Sequence, residues 1–150
     1  MKFSTRTFYG LKAILVLASR FGEGSLSVSQ IARKEGISVA YLEQILNALK
    51  KKGFVKSVRG PQGGYILSKK PSEITLKALF YALEKPGFLE PNGRAPEAAG
   101  QDDVAAANLI FWEKLRGSIE ETLEALNLKG ILDEARRRKT KVSSRHTFNI

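Results

Sequence analysis

Apolar residues recur at helical spacing along most of the chain, and a strand-like pattern rich in β-branched and aromatic residues occurs in one place only. Residues 5–21 put Phe8, Leu11, Leu15 and Ala18 on one stripe, with Ile14 and Leu17 beside it, which predicts a core helix stopped by Gly22 and Gly24. Ser27, with Gln30 three residues on, has the pattern of a capping box and opens a second helix through IARKE to Gly36. Ser38 can cap a third, VAYLEQILNALKKK, in which Leu42, Ile45, Leu46 and Leu49 form the buried stripe and Gly53 is the stop. Tyr41, Glu43, Gln44, Asn47 and Lys51 fall away from that stripe. FVKSV at 54–58 and YIL at 65–67 read as short strands joined by a loop within RGPQGGY.

Beyond Pro71, Ile74, Leu76, Leu79, Phe80 and Leu83 keep helical spacing and predict a helix that completes the core. Residues 84–101, with three prolines and three glycines, read as a loop. A long helix then starts at Asp102 or Asp103, and its stripe of Trp112, Leu115, Ile119, Leu123 and Leu126 needs a partner surface. A short last helix, ILDEARRRK, precedes a polar tail. The expected fold is mainly α with a small β-hairpin, divided into 1–83, a loop at 84–101, helices at 102–138 and a basic tail at 139–150.

The second and third helices carry a compact grammar. Small Ala32 lets the helices approach, Gly36 makes the turn, and Ile37 and Leu42 lock the crossing, as in a helix-turn-helix. An ordinary helical hairpin is the alternative. A strand-loop-strand after such a pair makes a winged helix.

Charge sharpens this picture. Residues 1–70 hold 13 Lys and Arg against 3 Asp and Glu, residues 71–134 hold 6 against 12, and residues 135–150 hold 6 against none. A basic half joined to an acidic middle fits a polyanion-binding module attached to a different element, although a solvated basic face would have the same composition. No apolar run reaches the length of a membrane span, and the N-terminal segment has no leader-like cleavage pattern, so a cytoplasmic location without membrane contact is expected. The chain has no cysteine and a single histidine, His146, which rules out disulfides, thiolate chemistry and cysteine-held metal. No arrangement of nucleophile and base emerges, and no enzyme is expected.

RGPQGGY at 59–65 admits three readings. Gly60, Gly63, Gly64 and Pro61 could simply turn the chain. A phosphate-cradling loop would need a Lys-Ser/Thr ending and a following helix, and neither is present. In a wing, bare glycines let the backbone lie against a narrow groove while Arg59 projects into its negative potential.

Residues 36–67, above all YLEQIL followed by VRGPQGGY, resemble the recognition helix and wing of the Rrf-two family of bacterial transcription regulators, which includes the IscR, NsrR and CymR types. The resemblance extends over nearly the whole chain. It implies a homodimer of winged helices, with long helices crossing at the interface, that binds double-stranded DNA at partly palindromic operators and acts as a repressor. It also implies that Tyr41, Glu43 and Gln44 face bases, that Arg59 and its glycine neighbours enter the minor groove, and that residues near Ser4 to Arg6 touch backbone. Gln suits adenine, Glu can accept from cytosine, and Lys50 to Lys52 can neutralise phosphate. The expected DNA-contacting set is thus Ser4, Arg6, Ser38, Tyr41, Glu43, Gln44, Lys51, Arg59, Gly60, Pro61, Gly63 and Gly64, with dimer contacts from Trp112, Leu115, Ile119, Leu123 and Leu126.

One departure stands out. Many members sense through an iron–sulfur cluster held by three cysteines before the long helix, where this chain has alanines at 95, 98, 99 and 105–107, Ala106 matching the last cysteine best. A naturally cluster-free member answering to a partner protein and a chain whose cysteines were replaced by alanine both account for this. In either case no cofactor is expected in the chain as it stands. A winged helix that binds protein instead of DNA is the rival of another class, and bulky apolar residues facing outward from the third helix would favour it.

Overall fold

The computed structural model describes residues 1–95 and 102–147. Among the described residues six α-helices, α1 (Thr5–Ser19), α2 (Val28–Glu35), α3 (Val39–Lys51), α4 (Leu76–Leu83), α5 (Asp103–Ala125) and α6 (Leu128–Thr147), accompany one antiparallel hairpin, β1 (Val55–Val58) and β2 (Gly64–Leu67). Helix starts follow the sequence closely: the side chains of Ser4, Ser38, Thr75 and Asp102 each accept from a backbone N–H of the first turn. Ser27 and Gln30 form the full capping box, and Gly36 closes α2 in the left-handed conformation at φ 66°.

The hairpin pairs Val55 with Leu67 and Val58 with Gly64. A third segment, between α1 and α2, joins it: Leu26 N–H donates to the Tyr65 carbonyl at 3.1 Å and Tyr65 N–H to the Leu26 carbonyl at 2.8 Å. Ile14, Leu17, Ile31, Leu42, Ile45, Leu46, Leu49, Val55, Leu67, Ile74, Leu79 and Leu128 make one core, so every helix except α5 adds a fully covered side chain and α5 contributes Leu123.

Four expectations change. On α1 the buried positions are Thr7, Gly10, Ala13, Ile14, Val16, Leu17 and Ala18, whereas Phe8 is 59% exposed. Ala13 is fully covered, and a Cβ on Gly10 would lie 2.5 Å from Leu83 Cδ1. Ile14, Leu17 and Ala18 of the expected stripe are buried and Leu11 and Leu15 pack on the core, so Phe8 alone departs from it. The loop after α4 is not bare: Phe88 and Leu89 are buried, and Phe88 meets Phe3 and Tyr81 at ring distances of 5.9 and 5.0 Å. Ala105 to Ala107 belong to α5, while Ala98 and Ala99 lie outside the described residues. The last helix is not short, since α6 runs through the expected basic tail to Thr147. Good helix formers and the ion pairs Lys129–Asp133 and Glu134–Arg138 at i, i+4 carry it past the core.

Candidate nucleic-acid interface

Leu42, Ile45, Leu46 and Leu49 are buried, which fixes the rotation of α3 and turns Glu43, Gln44, Asn47, Lys50 and Lys51 outward. Beside this face stands the hairpin, where Val55 points inward and Lys56, Ser57 and Val58 are exposed. Lys50 Nζ donates to Ser57 Oγ at 2.8 Å and so ties the end of α3 to β1. Helix and hairpin present adjoining surfaces that are largely polar and basic, with Val39 and Val58 the large exposed apolar residues on them.

Among the described residues Lys51, Lys52, Lys56 and Arg59 have no acidic partner, and the nearest acid on the face is exposed Glu43. Uncompensated cations on an exposed convex surface attract a polyanion over a Debye length of about 8–10 Å at physiological salt.

The tip of the hairpin owes its glycines to folding. Gly60 adopts φ 116°, and Gly63 N–H donates back to the Gly60 carbonyl at 2.9 Å. Gly63 itself is not in the left-handed region, but a Cβ there would meet the Val58 carbonyl oxygen at 2.6 Å and the Gly60 oxygen at 2.8 Å. At Gly64 a Cβ would lie 2.1 Å from the Leu26 carbonyl oxygen, at the site of the Leu26–Tyr65 bridge. Ser25 Oγ donates to the Gln62 carbonyl at 2.5 Å and holds the loop from the same side. Arg59 and Pro61 remain exposed at the tip.

The other expected contacts divide. Arg6 is exposed on the first turn of α1. Ser4 is half-buried: its hydroxyl caps α1 and donates to Glu84 Oε1 at 3.1 Å, and its N–H reaches the same oxygen at 2.7 Å. Ser38 is exposed and its oxygen accepts from Tyr41 N–H at 3.3 Å. The Tyr41 ring is half-buried, edge-on to Tyr9 at 5.9 Å, so much of it packs inward and away from the exposed face. Lys56 and the Lys50–Ser57 and Ser25–Gln62 links were missed, because each joins segments whose proximity has no signal in local periodicity.

The stripe on α5 is also divided. Leu123 is part of the protomer core and Ile119 and Leu126 pack against it, which commits that end of the stripe internally. Trp112 and Leu115 are half-buried, while Val104, Ile110 and Phe111 are 79%, 50% and 56% exposed. Glu90, in the loop after α4, pairs with Arg116 at 2.5 Å, and its carboxylate raises the guanidinium pKa; Tyr81 on α4 donates to Glu120, which pushes the phenol up to about 12.

The model of a family described as Rrf2, iron-dependent transcriptional regulator, matches residues 3–134. The HTH-type transcriptional regulator CymR of Bacillus subtilis is 34% identical over 131 residues, covering 87% of this chain and 89% of that protein. IscR of Photorhabdus laumondii is 31% identical and covers 100% of this chain and 98% of its own length. The solved structure of T. potens IscR superposes with a TM-score of 0.72 at 38% identity, over 90% of this chain and 88% of that one.

Proposed function

The chain belongs to the Rrf2 family and is a DNA-binding transcription regulator, and from that premise we propose that it works as a homodimeric repressor on partly palindromic operators. The observation that carries the reading is the surface shared by α3 and the hairpin. Glu43, Gln44 and Lys51 are exposed on α3 and Arg59 is exposed at the wing. In this reading α3 lies in the major groove, where Gln44 reads adenine and Glu43 accepts from a cytosine amino group, while Lys51, Lys52 and Arg6 meet phosphates. Arg59 enters the adjacent minor groove, where a delocalised cation gains most from groove narrowing. Ser4, Ser38, Gly60, Gly63 and Gly64 serve by shaping the helix starts and the wing.

Two protomers present two such surfaces, and the half-site spacing follows from the dimer. Val104, Ile110 and Phe111 on α5 supply apolar area for that contact, at about 1.5–3 kcal/mol for each large side chain covered. Repression follows if the bound dimer occludes a promoter.

The family description names iron, but the chain has no cysteine, and among the described residues no group of three or more His, Cys, Asp or Glu converges. Its residues do not fit a thiolate-held iron–sulfur cluster. That favours control by a protein partner as the second part of the reading. Selection of bound duplexes from a random pool tests the proposal: enrichment of a two-fold-related motif is expected, and recovery of no motif, or of an unpaired half-site, would overturn it.

A further inference from the structure

The basic end of α6 lies outside the surface just described. Leu128 is buried and Ile131 and Leu132 pack on the core, but every described side chain from Ala135 to Ser144 is exposed. No acid follows Glu134 in the chain, whereas Arg136, Arg137, Arg138, Lys139 and Lys141 all do. Arg136 and Arg138 pair with Asp133 and Glu134, Arg137 forms no ion pair but its charge is felt at Asp133, and among the described residues Lys139 and Lys141 have no acidic partner. The match to the family model ends at residue 134, where this arm begins.

We propose that the C-terminal half of α6 is a second DNA-binding element, one that grips the phosphodiester backbone without reading sequence. Three observations support it. Arg137 and Lys141 are four residues apart and Arg138 and Lys141 three, so the helix stacks these cations on one face. Thirteen residues from 135 to 147 span about 20 Å, enough to follow several phosphates. Lys70, just beyond β2, lines one cleft of about 330 Å³ with Lys129 and Arg136, which joins the base of the hairpin to the start of the arm. A lipid surface is disfavoured, since Val142 is the one large apolar side chain described in the arm.

The proposal rests on the DNA-binding reading above, and its test keeps the two apart. In the full chain Arg137, Arg138, Lys139 and Lys141 are replaced by Gln, which keeps helix propensity, and a control carries Arg137→Lys and Arg138→Lys. Affinity for a duplex of about 30 base pairs, random or selected, is measured against salt, and circular dichroism checks helix content. The Gln variant should lose about tenfold or more in affinity near physiological salt, and its log–log salt slope should fall by about 2–3, equally on both duplexes, while the Lys control keeps both. An unchanged slope with intact binding by the parent chain overturns the arm alone. Parent chain binding to no duplex overturns both readings. An unchanged slope with loss of binding to phosphatidylserine vesicles overturns the arm in favour of a lipid surface.

Discussion

Gly64→Ala separates what the wing's glycines do from what its arginine does. The added methyl would lie 2.1 Å from the Leu26 carbonyl oxygen and 2.7 Å from Ser27 N, both backbone atoms with no rotamer to yield. Relief requires the strand to part from residues 26–27, which breaks the two hydrogen bonds between Leu26 and Tyr65 and disturbs the Ser27 cap on α2. At about 1 kcal/mol net for each hydrogen bond and about 1 for the cap, the cost is about 2–4 kcal/mol. For a chain of this size that lowers the thermal midpoint by roughly 5–15 °C. Arg59→Ala should behave in the opposite way: the side chain is exposed and pairs with no acid among the described residues, so stability stays within about 0.5 kcal/mol while operator affinity drops, most on A·T-rich flanks. Thermal and urea denaturation beside operator binding at matched salt reads both. The reasoning fails if Gly64→Ala melts like the parent, or if Arg59→Ala binds like the parent on an A·T-flanked site.

Gln44→Ala should relax preference at one base position per half-site by about 1–3 kcal/mol, whereas Lys51→Ala should weaken all sequences alike, as competition with operator and random duplexes would show. Phe111→Glu should dissociate the proposed dimer in sedimentation without lowering the melting point much, because Phe111 is 56% exposed; Ile119→Lys is the poorer probe, since Ile119 packs on the protomer core. In an ultraviolet pH titration one tyrosine should ionise only near 12, and Tyr81→Phe should remove that step. Because the folded pKa lies above the unfolded one, the Tyr81–Glu120 contact contributes stability in full below about pH 10 and loses it as pH rises towards 12, an effect kept small by the exposure of Tyr81.

Elements under the control of local chemistry could be read from the chain alone. Helix starts at Ser4, Ser27, Ser38, Thr75 and Asp102 follow from side chains that satisfy first-turn N–H groups, and the outward face of α3 follows from four buried residues at helical spacing. The winged helix-turn-helix was legible for that reason, together with the basic bias of the first 70 residues.

Features that depend on segments meeting across the chain emerged only from the packing. That Gly10 belongs to the buried side of α1 and Phe8 does not depends on how closely Leu83 of α4 approaches. Gly64 of the wing answers to Leu26, 38 residues away, with whose segment the hairpin forms its bridge. Ser4 is fixed by Glu84, and the stripe on α5 is divided by the same core that receives Leu123 and Leu128. Periodicity reports which face of an element is apolar; it does not report which neighbour covers that face or how near it comes, because both are set by packing among elements distant in sequence.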